Sequence, residues 1–174
     1  SPLRYEVKRS QRSCVKSFAV SGRKYIYRDQ LSFTNSATQR DGTKNTCHYS
    51  DNWADPGKQI IPERWRKVNS SDALADSVYA YTLDLMTALK NVGATPEMVQ
   101  IGNETTPGIL VHVPNSSTNC WGNNVDKASA AIAGDMSTSS GKANAAKYFK
   151  AGISAVKKVS PNTKTVLHIE RIRQ

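Results

Sequence analysis

Two long amphipathic segments, each passing through a short polar connection into a short apolar one, limit what this 174-residue chain can fold into. In the first, Leu74, Val78, Tyr81, Leu85, Leu89 and Val92 recur at three- and four-residue steps. That spacing lays an apolar stripe along one side of a helix of about six turns. Ser70-Ser71-Asp72 offers an N-cap and an acidic first turn, and Gly93 a stop. Thr95-Pro96 breaks the chain, and Glu97–Gly102 reads as a short buried strand. Asn-, Ser-, Gly- and Pro-rich sequence then predicts loop over 103–127. A second helix is predicted from about Ala143 to Val159, with Ala146, Phe149, Ile153 and Val156 on one face. Ser160-Pro161-Asn162 turns the chain into a strand over Thr163–Ile169. Helices alternating with strands through short links predict an α/β fold with parallel strands. A doubly wound sheet and a stretch of a (β/α)8 barrel both satisfy this pattern, and both gather chemistry at the C-terminal ends of their strands.

The start of the chain is different. The formal charge is +10. Residues 1–46 hold ten Lys/Arg against three Asp/Glu, so +7 of that charge lies in the first quarter. A uniformly basic groove would suggest phosphate binding, whereas a lopsided start suggests a tail or foreign segment. Tyr25–Leu31 could form a strand, while Thr34–Asn45 is polar, turn-rich and unclaimed by any core. No run approaches the roughly 18 apolar residues of a membrane span. Ser1-Pro2-Leu3-Arg4 lacks the apolar region of a signal peptide. Cys14, Cys47 and Cys120 make no metal-ligand spacing and leave one disulfide or three separate thiols open. His48, His112 and His168 lie on separate segments, so neither metal nor cofactor is expected.

Polar candidates fall where the strands end. Glu104 follows the apolar strand through Gly102, with Asn103 beside it, so a carboxyl and an amide would project together into a cleft. Glycosidases need paired carboxyl groups, one protonated to assist the leaving group. A Glu that merely caps the next turn fits this pattern about as well. His48, Asp51, Trp53 and Asp55 form a second cluster within His48–Pro56. Aromatic rings stack on the C–H face of a pyranose while carboxylates accept from its hydroxyls. A packed Trp, an Asp-Pro turn and a satisfied core histidine explain the same residues equally well. His168, near the end of the last strand, carries the same ambiguity. Trp65 and Trp121 suit either stacking or core.

Three stretches resemble glycoside hydrolase family 53, the endo-β-1,4-galactanases: His48-Tyr49-Ser50-Asp51-Asn52-Trp53-Ala54-Asp55-Pro56-Gly57-Lys58-Gln59, Ala94–Glu104, and Val159–Lys164 leading into Leu167-His168. They stand in the family's order and span about residues 48–169. The resemblance implies a partial (β/α)8 TIM barrel, about the third to fifth βα units. It also implies retaining cleavage of β-1,4-galactan in type I arabinogalactan, and a secreted, monomeric protein whose partner is a polysaccharide, neither nucleic acid nor membrane. Within it Glu104 matches the acid/base. Asn103 matches the amide that contacts the 2-hydroxyl, and His48, Asp51, Trp53, Asp55 and His168 match substrate-binding positions. The family's nucleophile lies after its seventh strand, and no residue here matches it, so no hydrolysis by these residues alone is expected. Residues 1–46 and 170–174 lack the resemblance, as a shifted reading frame would leave them. Gly42–Cys47 looks too polar and short for the family's apolar third strand. Thr105 and Val111 stand where an apolar residue and an aromatic are usual. Two other readings stay open: a non-catalytic carbohydrate-binding remnant, and a nucleic-acid binder resting only on residues 1–46.

Overall fold

The computed structural model describes residues 18–20, 23–25, 33–38, 42–51, 53–115 and 125–170. Its strands are β1 (Phe18–Val20), β2 (Arg23–Tyr25), β3 (Phe33–Thr38), β4 (Gly42–Cys47), β5 (Met98–Ile101), β6 (Gly108–Ile109), β7 (His112–Pro114), β8 (Val125–Lys127), β9 (Gly134–Asp135) and β10 (Lys164–Val166). Two long helices, α1 (Ser71–Asn91) and α2 (Ser139–Val159), separate β4 from β5 and β9 from β10.

The predicted alternation is present. β4, β5 and β10 run parallel and adjacent, with Cys47 opposite Ile101 and Val166 opposite Gln100. α1 links β4 to β5, and α2 lies on the path from β5 to β10. β3 closes the other edge of β4, antiparallel, with Phe33 opposite Cys47. The stretch read as polar and unclaimed is therefore a hairpin, and β4 crosses the 46/47 boundary of the sequence reading. Thr43 and Thr46 are β-branched and suit a strand. Asn45, Thr46 and Cys47 are buried. The Asn45 side-chain oxygen has no hydrogen-bond partner among the described residues, a cost that hydrophobic pattern reading treats as disqualifying. Of the strand suggested over Tyr25–Leu31, Tyr25 ends β2 and the remainder lies outside the described residues.

Both helices begin on side-chain caps. Ser70 accepts from the Ala73 amide and Thr138 from the Gly141 amide. In α1 the buried residues are Leu74, Val78, Tyr81, Thr82, Met86 and Leu89. Leu85 is half-buried and Val92, beyond the last turn, is 41% exposed, contrary to its place in the predicted stripe. α2 starts four residues before the predicted Ala143, and its buried face is centred on Asn144, Ala145, Tyr148, Gly152 and Val156. Ala146 is exposed, and Phe149 and Ile153 are half-buried. A close approach explains the shift: a Cβ on Gly152 would sit 2.6 Å from the Tyr49 hydroxyl and 2.8 Å from an Ile101 methyl. β10 covers only part of Thr163–Ile169. The predicted loop over 103–127 contains short antiparallel pairings, β6 with β9 and β7 with β8, that bury Ile109, Leu110 and Val111.

One core joins sheet and helices. Cys47, Tyr49, Val99 and Ile101 pack with Leu74, Val78, Tyr81, Met86, Tyr148 and Val156. Tyr49 bonds Thr82 of α1 through its hydroxyl at 2.8 Å, and burial pushes that phenol above its ordinary range. Burial also pushes the Cys47 thiol up to about 12, which keeps it protonated and unreactive. Cys14 and Cys120 lie outside the described residues. Trp65 is core, edge-on to Tyr81 at 6.4 Å; Trp121 lies outside the described residues. Among the described residues no helix is long and apolar enough to cross a membrane.

Candidate active site

The polar cluster lies just past the carboxyl ends of β4, β5 and β10, and backbone geometry makes it. β5 leaves the sheet through Gly102 (φ 77°) and Glu104 (φ 49°), both left-handed. A Cβ on Gly102 would meet Thr105 at 2.6 Å, so only glycine fits. The left-handed Glu104 is a strained choice for a residue with a side chain, of order 1–2 kcal/mol. β4 ends in the same way, with Tyr49 at φ 50° directly after His48.

Asn103 is the hub. It is buried, and its amide nitrogen donates to the Ala54 carbonyl at 2.9 Å. Its amide oxygen accepts from Gln100 at 3.0 Å and stands 3.1 Å from His168 Nδ1. Among the described residues its second amide N–H has no acceptor. His168 Nδ1 is also 3.4 Å from the Glu104 amide nitrogen. A single ring nitrogen cannot donate to the first and accept from the second at once, so the tautomer selects one partner. Thr105 bonds the His168 carbonyl through both its amide and its hydroxyl, each at 2.9 Å. Thr106 bonds the Glu170 carbonyl as well. The turn after β5 is thereby stitched to the chain after β10.

The Glu104 carboxyl is half-buried, and among the described residues it has neither a hydrogen bond nor an ion pair. Across the Asn103–Ala54 bond lies the loop after β4. Trp53 is 55% exposed, with its ring 4.5 Å from the buried His48 ring. His48 Nδ1 accepts from the Ala54 amide at 3.2 Å. Trp53, His48, Ala54, Asn103, Glu104 and His168 thus form one connected set. Asp55 is half-buried; it accepts from the Gly57 amide at 2.8 Å and stands 3.8 Å from Lys58. Asp51 is buried, and one carboxylate oxygen accepts from the Glu63 amide at 2.8 Å, opening the short 3-10 turn Glu63–Trp65.

Sequence reading missed the residue that ties these loops together. Gln59 is buried, and its amide nitrogen donates to the Asn103 carbonyl at 2.8 Å and the Asp55 carbonyl at 3.0 Å. A polar residue beside the buried Ile60-Ile61 pair was the available signal. His112 accepts from the Gln59 amide at 3.1 Å, and burial, aided by Lys127, lowers its pKa. Lys127 also pairs with Asp135 at 2.8 Å and, with Ser137, holds that carboxyl well below its usual range. Among the described residues no three His, Cys, Asp or Glu side chains could hold a metal ion.

This is an α/β protein with parallel strands that carries Glu104, the Asn103 amide and the exposed Trp53 just past the strand ends, where such folds gather their chemistry. The family model for glycosyl hydrolase family 53 matches residues 27–174. The chain belongs to that family. It is 38% identical over 124 residues to an uncharacterized protein in the bgaB 5′ region of Niallia circulans, covering 71% of this chain and 30% of that protein. It is 44% identical over 63 residues to an arabinogalactan endo-β-1,4-galactanase of Cellvibrio japonicus, covering 36% of this chain and 17% of that enzyme. Among solved structures it resembles the Ignisphaera aggregans GH53 catalytic domain, with a TM-score of 0.52 and 35% identity over 71% of this chain and 28% of that one. The chain therefore spans less than a third of the length of these relatives.

Proposed function

We propose that these residues form the acid/base side of a retaining endo-β-1,4-galactanase, with Glu104 as the proton donor. The observation carrying this is the Glu104 carboxyl, half-buried and uncommitted among the described residues, beside an Asn103 amide with one N–H to spare. An inert capping glutamate would be spending its oxygens on backbone amides, and this one is not. On this reading β4, β5 and β10 are the third to fifth strands of a (β/α)8 barrel. Its substrate is the galactan of type I arabinogalactan, a polymer met outside cells, so the protein acts there as a secreted monomer without a cofactor.

In the first step protonated Glu104 gives its proton to the glycosidic oxygen as the C1–O bond breaks, and a second carboxylate bonds to C1 from the opposite face. In the second step Glu104, now ionised, takes a proton from water as the water oxygen displaces that carboxylate, so configuration is retained. The spare Asn103 N–H donates to the neighbouring hydroxyl, a bond that strengthens as charge develops on the ring. Trp53 stacks on a flanking galactose, with His48 backing the indole. His168 fixes the Asn103 amide, and Asp55 lines the same loop as a hydroxyl acceptor. Asp51 serves the site by shaping the loop. The second carboxylate belongs about 5–5.5 Å from Glu104, and no residue here matches the family's nucleophile.

Hydrolysis of β-1,4-galactan by protein carrying these residues in a complete barrel tests the role directly. Glu104→Gln should lower kcat by at least about 10³-fold on polymer while oligosaccharide binding persists. Turnover within tenfold of wild type would refute it. The 174 residues alone should bind galacto-oligosaccharide through Trp53 without releasing reducing ends, and release by them would overturn the division of carboxylates. The non-catalytic alternative predicts binding without turnover even in the complete barrel.

A further inference from the structure

We infer that Gln59 is a positioning residue for the acid/base: its carboxamide ties the loop after β4 to the turn after β5 and so sets where the Glu104 carboxyl points. This rests on the role proposed above for Glu104. The two hydrogens on the Gln59 amide nitrogen match two carbonyls from different loops, Asn103 at 2.8 Å and Asp55 at 3.0 Å. The Glu104 carbonyl lies beyond them at 3.4 Å. Gln59 is itself held from the other side. Its amide donates to His112 Nδ1 at 3.1 Å, and its carbonyl accepts from the Val111 and His112 amides at 2.8 and 2.9 Å. Backbone and side chain are thus engaged at opposite ends, and the residue acts as a buried post with 2% exposure.

A post is needed there because two of the three residues from Gly102 to Glu104 are left-handed, and for Glu104 that conformation is unfavoured. Local preference would relax the turn, and the surrounding bonds must hold it. The His168 carbonyl, accepting from the Thr105 amide and hydroxyl, holds it from the β10 side. Gln59 holds it from the β4 side, and the same amide holds the loop that carries Trp53 and Asp55. The stacking indole and the proton donor consequently share one reference point. Leucine matches the length of Gln59 without donors. Glutamate matches its shape but turns an acceptor toward two carbonyls.

The experiment is Gln59→Leu and Gln59→Glu in a complete barrel carrying these residues, read by steady-state kinetics on galactan and by backbone amide hydrogen exchange. The expected result is a kcat loss on the order of 10–100-fold with KM within about twofold, since small misplacements act on the chemical step. Exchange at the Glu104 and Thr105 amides should rise by about tenfold or more while Leu74–Leu89 of α1 stays as protected as in wild type. Unchanged kcat overturns the inference whatever the exchange shows. So does accelerated exchange throughout α1 and α2, which would mean general destabilisation. If the complete barrel with Gln59 unchanged shows no turnover, the galactanase reading fails separately, and unchanged exchange at Glu104 and Thr105 then decides against Gln59.

Discussion

On the helix-covered face of the sheet, Cys47, Val99 and Ile101 are almost wholly excluded from water and pack on Tyr148, Val156 and the α1 stripe. Just past the ends of the same strands, His48, Asn103 and Glu104 sit among polar partners, near an indole that is more than half exposed and on backbone that includes three left-handed residues. The first region gains stability from apolar area removed from water. The second gives some of that stability up, through strain and through a carboxyl that has no partner among the described residues. Residues three apart in sequence, Ile101 in β5 and Glu104 beyond it, thus serve opposite ends, and the boundary falls at Gly102, whose missing Cβ lets the chain leave the sheet abruptly.

The largest test of this division is Ile101→Ala. It empties a fully buried site between β4 and α2 and should cost about 2–5 kcal/mol. Urea unfolding followed by far-UV circular dichroism would show it, and a loss below about 1 kcal/mol would mean that the helix-covered face is not where stability resides. Glu104→Gly should act in the opposite sense, removing the strained side chain at φ 49° and raising stability by about 1 kcal/mol, while in a complete barrel it abolishes hydrolysis. A lower unfolding midpoint would break the comparison at its functional end. The smallest effect concerns pH. Folding lowers the His112 pKa below its usual 6.5 through burial and Lys127, with Asp135 and Asp55 opposing. Between that lowered value and 6.5 the unfolded chain binds more protons, so the His112 contribution is complete above 6.5 and declines as pH falls through the window. His112→Asn, which keeps an acceptor for the Gln59 amide, should flatten this dependence, and identical slopes for both proteins would sharpen the comparison by removing His112 from it.

Much of this was legible beforehand where side chains obey a period. The Ser70 cap, the Leu74-to-Leu89 stripe and the strand at Met98–Ile101 follow from spacing alone. Spacing failed where size or polarity decided the outcome. α2 turns Gly152 and Tyr148 inward because Tyr49 and Ile101 leave no room for more, whereas pattern reading favours the large apolar residues Phe149 and Ile153. β4 was discounted because Asn45 and Thr46 are polar, yet pairing on both sides satisfies its backbone. At the site, motif likeness pointed to Glu104, Asn103 and Trp53, which the fold brings into one connected set. It gave no hint that one Asp51 oxygen would accept from the Glu63 amide, because sequence does not display which backbone amide a carboxylate reaches. Gln59 escaped for a related reason: its partners are carbonyls, which sequence does not display.

The antiparallel β3 has a consequence for assembly. By taking the second edge of β4, it leaves the outer side of β10 as the only place among the described strands where another parallel neighbour can join the series. Growth of a closed ring of strands from this sheet is therefore directional. It would begin at Lys164–Val166, and any parallel partner arriving from the β4 side would first have to peel a six-residue ribbon away.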